Sequence, residues 1–133
     1  MRYRIQMKLT DHKTEGAFVV RSWSPGRLRV GEETLVRSCL MRADRLVRDW
    51  RPQSVAELSA ADLEPVLALE PEIVVLGTGS QQRFPPAELL AVMLQRGVGC
   101  EVMDTGAASR TYNVLVSEDR RVVAALMVGA ESG

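Results

Sequence analysis

The sequence predicts an α/β fold: a compact three-layer single domain with a mixed β-sheet, in which antiparallel N-terminal strands are followed by β-α-β-α-β. Three observations predict it. Residues 17–40 alternate apolar and polar side chains between turn tripeptides, the period of half-buried strands. From Ser59 onward the apolar spacing turns helical. Between the helical stretches lie short runs of branched aliphatics, and the clearest, Ile73-Val74-Val75-Leu76, is bounded by Pro71 and Gly77. Such a run describes a strand buried on both faces.

In chain order, Met1 to Leu9 alternates polar and apolar residues, a strand pattern without the continuous apolar core of a secretory signal. Ala17-Phe18-Val19-Val20 leads into the Ser24-Pro25-Gly26 turn, Arg27-Leu28-Arg29-Val30 is the next strand, and Gly31-Glu32-Glu33 turns again. A single strand is expected over Thr34 to Leu40. Leu46 to Trp50 reads as a further strand, and Arg42 to Trp50 equally as a helical turn. Ser59, with Asp62 three residues on, forms a capping box for a helix carrying Leu63, Val66 and Leu67. The next helix starts with Pro86 in its first turn, Phe84 stapled onto Leu89, a buried stripe of Leu89, Leu90, Met93 and Leu94, and Gly97 as its left-handed cap. Val98 to Met103 gives a parallel strand. Asp104 or Thr105 caps a third helix to about Ser117, and Arg121 to Val128 returns as a buried strand. The domain is expected to occupy 1–133, with its ordered core at about 16–128 and the last residues frayed.

The 133 residues carry 17 basic and 17 acidic side chains, and 46% are hydrophobic, which excludes disorder. The most apolar stretch, Val122 to Ala130, is under half of the about 20 residues a bilayer-spanning helix requires. Cys39 and Cys100 lie far apart with no thiolate or imidazole companion at metal-ligand spacing, and His12 is the sole histidine. No catalytic constellation, metal site or cofactor is therefore expected. The balanced charge hides an asymmetry: residues 1–53 hold 12 basic against 6 acidic side chains, and residues 54–133 hold 5 against 11. Mutual packing of the two halves accounts for this as well as an acidic partner does. No aromatic residues interleave with the basic ones, so no nucleic-acid partner is expected. Localisation is expected to be cytoplasmic, with peripheral membrane contact at most.

Ligands of open α/β sheets collect at the carboxyl ends of parallel strands. Two segments fall there: the turn Gly77, Thr78, Gly79 and Ser80, and the helix after Asp104, on which Gly106, Arg110 and Asn113 share a face by i, i+4, i+7 spacing. Thr111 adds a hydroxyl. Together these residues define a candidate anion-binding pocket between the glycine turn and the Arg110 helix, with the alternative that Arg110 and Asn113 tie loop carbonyls together.

Residues Pro71 to Gly79, Phe84-Pro85, Gly97 to Thr105 and Ala107 to Leu115 carry a further signal. From about Phe18 to Met127 the chain resembles a family that includes the mitochondrial NADH:ubiquinone oxidoreductase complex assembly factor 3 and stand-alone bacterial and archaeal proteins. Its most specific marks here are Glu101-x-Met103-x-Thr105 and Arg110-Thr111-Tyr112-Asn113. The resemblance implies a three-layer α/β domain with a mixed sheet. It also implies a protein that helps assemble respiratory complex I, with respiratory-complex subunits or another assembly factor as partners. The overall reading is a non-enzymatic assembly or interaction module. The alternative is a small-anion or metabolite-binding protein. Exposed antiparallel edges allow a homodimer.

Overall fold

Pro25 and Gly26 close the first hairpin in the computed structural model, which describes residues 16–129. Gly26 takes φ +88°, a conformation open to residues without a Cβ. The strand expected over Met1 to Leu9, His12, and residues 130–133, where fraying is expected, lie outside the described residues.

β1 (Val20–Ser24), β2 (Arg27–Val30) and β3 (Glu33–Leu35) form one three-stranded antiparallel sheet. Leu28, Val30 and Leu35 face its buried side, while Arg27 and Thr34 stay exposed. A bulge between Val20 and Ser22 gives β1 one extra residue, Arg21, relative to β2. The second sheet has five strands in the order β5-β4-β8-β6-β7: β4 (Cys39–Arg42), β5 (Arg45–Val47), β6 (Ile73–Gly77), β7 (Gly99–Met103) and β8 (Val122–Leu126). β6 pairs in parallel with β7 and β8, and β4 pairs antiparallel with β5 and β8, so this sheet is mixed.

The expected strand over residues 34–40 is two strands in different sheets. Between them the backbone leaves one ladder for the other, and Ser38 is held from elsewhere. Its N–H donates to Gln53 Oε1 at 3.0 Å, and its carbonyl accepts from the Trp50 N–H at 2.8 Å. The ambiguous segment at 42–50 resolves into a hairpin: Arg45–Val47 pairs with β4, and Trp50 lies beyond it, its indole N–H on the Asp62 carbonyl at 3.0 Å.

Two cores follow from strand alternation. On one face of the mixed sheet Cys39, Met41, Val75, Ala124 and Leu126 meet the small sheet and α3 (Thr105–Ser117) through Ala108, Tyr112 and Val116. On the other, Leu40, Val74, Leu76, Val123 and Ala125 meet Trp50, α1 (Leu63–Leu67) and α2 (Ala87–Gln95). Every residue of β8 is buried, as a central strand covered on both faces requires. The result is a mixed α/β domain in three layers.

Helix ends follow local chemistry. Asp104 caps α3, its carboxylate accepting from the Ala107 N–H at 2.8 Å, and Gly97 ends α2 with φ +77°. The start of α2 differs from expectation: Pro86 is its cap rather than its first residue. Phe84 is 65% exposed, so it does not staple onto Leu89. Leu94 is 73% exposed, and Val92 packs against the core in its place.

The capping box at Ser59 is part of a larger electrostatic knot. The Asp62 carboxylate accepts from the Ser59 N–H at 2.8 Å and from Arg51 Nε and Nη2 at 2.9 and 2.7 Å. The Arg51 guanidinium, with help from Ser59, lowers the Asp62 carboxyl to about 2 against desolvation by burial. A carboxyl whose pKa is depressed on folding contributes stability that is present above its unfolded value and is lost as pH falls through the folded value. Asp62→Asn is therefore expected to cost about 1–2 kcal/mol at neutral pH, and its penalty is expected to vanish by about pH 2. Urea unfolding of both proteins across pH 7 to 2 checks this.

Candidate functional site

Gly77 ends β6 where the chain must pass within contact of α3. A Cβ at this position would lie 3.0 Å from the Thr105 Cα and from Leu126 Cδ2, so the two elements close only over a glycine. The turn that follows is stitched to the first residue of α3. Thr105 N–H donates to the Gly79 carbonyl at 2.8 Å, and the Gly79 N–H donates to Thr105 Oγ1 at 2.8 Å. The same hydroxyl donates to the Met127 carbonyl at 2.8 Å, while Met127 N–H donates to the Gly77 carbonyl at 2.9 Å. Thr105 is completely buried and joins β6, β8 and α3 through one oxygen.

Thr78 is committed in the same way. Its N–H donates to the Met103 carbonyl at 3.0 Å; its hydroxyl donates to the Gln81 carbonyl at 2.6 Å and accepts from the Arg83 N–H at 3.1 Å. Of the four turn residues, Ser80 alone keeps a side-chain polar atom that is buried without a partner.

The face of α3 bearing Gly106, Arg110 and Asn113 looks onto β1 rather than onto the glycine turn. Asn113 serves as a neighbouring strand for β1: its Oδ1 accepts from the Val20 N–H at 2.9 Å and its Nδ2 donates to the Val20 carbonyl at 2.8 Å. A primary amide repeats the donor and acceptor of a peptide group, so it completes the ladder where the bulge leaves Val20 facing the helix. The preceding residue, Tyr112, is buried in the core and its hydroxyl donates to the Phe18 carbonyl at 2.7 Å. Thr111 points elsewhere, its hydroxyl 3.4 Å from Met103 Sδ on β7. Arg110 is exposed and has no ion-pair partner among the described residues. The candidate set thus divides: Gly77, Thr78, Gly79 and Ser80 cluster with Thr105 at one end of α3, Asn113 is bound to β1, Thr111 lies against β7, and Arg110 stands at a groove.

That groove, a hollow of about 570 Å³, runs between β1 and α3 and is lined by Arg21, Ser22 and Trp23 on one side and Asp104, Gly106 and Arg110 on the other. Gly106 permits the close approach: a Cβ there would lie 3.4 Å from Trp23 Cε3 and 3.6 Å from Arg110 Nη1. Trp23 and Thr105 escaped sequence reasoning. Thr105 was legible only as a helix cap and a family mark, and each acquires its role from a segment over 20 residues away.

Elsewhere the chemistry is quiet. Burial raises the Cys39 thiol to about 12 and the Cys100 thiol to about 11, well above the range in which a thiolate forms. Among the described residues no group of His, Cys, Asp and Glu could hold a metal ion.

Known proteins place this architecture. The chain is 30% identical over 126 residues to a Danio rerio protein named NADH dehydrogenase [ubiquinone] 1 alpha subcomplex assembly factor 3, covering 93% of this chain and 72% of that one. It is 28% identical over 119 residues to a Francisella tularensis protein named 13 kDa major membrane protein, covering 87% and 95% of the two chains. Among solved structures, a Xanthomonas campestris protein determined by NMR superposes with a TM-score of 0.80 at 37% identity, covering all of this chain and 96% of the other. The sequence pattern of the family described as protein of unknown function DUF498/DUF598 matches residues 20–127, and the chain belongs to that family.

Proposed function

We propose that the protein is a non-enzymatic assembly module that binds protein partners, respiratory-complex subunits or another assembly factor among them. The observation that carries this reading is the likeness, over nearly the whole chain, to proteins named as assembly factors of NADH dehydrogenase. The site supports it from a second direction. The Gly79 N–H and the Thr78 hydroxyl of the glycine turn are engaged within the fold, which leaves Arg110 as the one charged candidate without an ion-pair partner among the described residues. Action in the cytoplasm, with at most peripheral contact to a membrane, fits the described residues, none of whose helices is long and apolar enough to cross one. A homodimer and independence from nucleic acid belong to the same reading.

Charge on the small sheet suits an acidic partner. Arg48 holds Glu33 bidentately at 2.6 and 3.0 Å, and Arg37 holds Asp49 at 2.9 Å. Arg27 and Arg29 on β2 have no acidic partner among the described residues. The double substitution Arg27→Glu with Arg29→Glu is expected to reduce recovery of partner proteins on the tagged chain at least tenfold, about 1.4 kcal/mol, while the circular dichroism spectrum is unchanged. Equal recovery by both proteins would count against the reading.

A further inference from the structure

We propose that the groove between β1 and α3 is a binding site for an extended, acidic segment of a partner protein, which adds main-chain hydrogen bonds to β1 at Trp23 and places a carboxylate on Arg110. The proposal rests on the reading of the chain as a partner-binding module and specifies where and how the partner is held.

Ladder parity supplies the first half of the argument. The two-residue turn at Pro25-Gly26 makes Ser24 and Arg27 a hydrogen-bonded pair, and such pairs alternate along an antiparallel ladder. Ser22 then bonds Arg29, and Trp23, opposite Leu28, is a non-bonded pair whose N–H and C=O point out of the sheet. Val20, beyond the bulge, points outward too, and there the outward groups are met by Asn113. Among the described residues no side chain plays that part at Trp23. The edge of β1 therefore offers one open rung, directly beside the Asn113 amide that fills the previous one. A peptide laid along the groove would continue what Asn113 begins, the mode of strand addition used by many peptide-binding domains.

Charge supplies the second half. Across the groove stands Arg110, exposed and without an ion-pair partner among the described residues. Asp104 beside it is engaged in capping the helix through the Ala107 N–H. The Trp23 indole N–H is buried without an acceptor. The surroundings are rich in donors and poor in free acceptors, which selects an acceptor-bearing, negatively charged occupant over a neutral or basic one. A guanidinium fork matches a carboxylate in geometry as well as charge.

The test uses a displayed library of random octapeptides selected against the full chain and, in parallel, against Arg110→Glu. The wild-type selection is expected to enrich Asp or Glu at one fixed position at least tenfold over the unselected library, and the variant to lose that enrichment. A synthetic peptide of the enriched sequence is then titrated into the isotopically labelled chain. Exchange of the Trp23 main-chain amide with solvent is expected to slow at least tenfold, and the Trp23 and Gly106 amide resonances to shift. No enrichment, the same enrichment with Arg110→Glu, or shifts confined to the glycine turn would each overturn the proposal. Its failure is separable from failure of the broader reading. Partner proteins captured by the tagged chain without any acidic motif place the interface elsewhere, whereas a bound acidic motif without captured partners overturns the assembly role and leaves the groove standing.

Discussion

Thr105→Val is expected to lower the free energy of unfolding by about 2–4 kcal/mol, a substantial fraction of the about 5–15 kcal/mol margin of a typical domain. Valine has the shape of threonine, so no cavity opens. What disappears is the buried oxygen that accepts from the half-buried Gly79 N–H and donates to the Met127 carbonyl, each at 2.8 Å. Both backbone groups would be left without partners, and each orphaned group costs about 1–3 kcal/mol. Thr105→Ser retains the oxygen and loses one buried methyl, a change of about 1 kcal/mol. Urea denaturation of the three proteins separates the contribution of the hydroxyl from that of packing. A valine variant as stable as the serine variant would show that the hydroxyl does not hold the rim together.

Asn113→Leu is expected to cost a similar amount, about 2–4 kcal/mol, because it strips the buried Val20 N–H and carbonyl of their partners at once. Asn113→Asp is the sharper variant. An aspartate keeps the acceptor for the Val20 N–H but turns the donor into an oxygen facing the Val20 carbonyl, so it is expected to recover little of the loss at neutral pH. Repulsion from the Val20 carbonyl raises the folded carboxyl above its unfolded value, and protonation returns a donor, so the deficit is expected to shrink as pH falls toward about 4. Thermal unfolding of both variants at pH 7 and pH 4 checks this. Equal deficits for aspartate and leucine at both pH values would remove the amide from its strand-like role.

Local signals and long-range ones explain what could be read from the residues alone. Ser59 with Asp62, Asp104 as a helix cap and Gly97 as a helix end are decided within a few residues, and each forms as the sequence indicates. The two central strands β6 and β8 were legible because a strand covered on both faces has little choice but to be apolar throughout. The division of residues 34–40 was not, since the break at Ser38 is imposed by Gln53 and Trp50, which arrive from beyond a hairpin. The outward setting of Phe84 and Leu94 was equally hidden: an apolar residue near a helix start carries no record of whether a second layer reaches it.

The candidate site was half legible for the same reason. Topology brings the carboxyl end of β6 and the start of α3 to one rim, as the alternation of strands and helices indicates. Helical spacing correctly grouped Gly106, Arg110 and Asn113 on one face. It could not say that the face opposes β1, because Val20 lies 93 residues from Asn113 in the chain. Nor could glycines and a threonine in a turn announce that their polar atoms are already paired inward through Thr105.

Whether the glycine turn is a closed knot or an open cradle is decided most directly by native-state hydrogen exchange at the Gly79 amide. With that N–H donated to the buried Thr105 hydroxyl, it is expected to exchange only through large-scale unfolding, within about 1–2 kcal/mol of the global stability, and to lose this protection in Thr105→Val. Exchange at the rate of an exposed loop, or protection that appears only when an inorganic anion such as phosphate is added, would contradict the account and return the turn to the status of a ligand site.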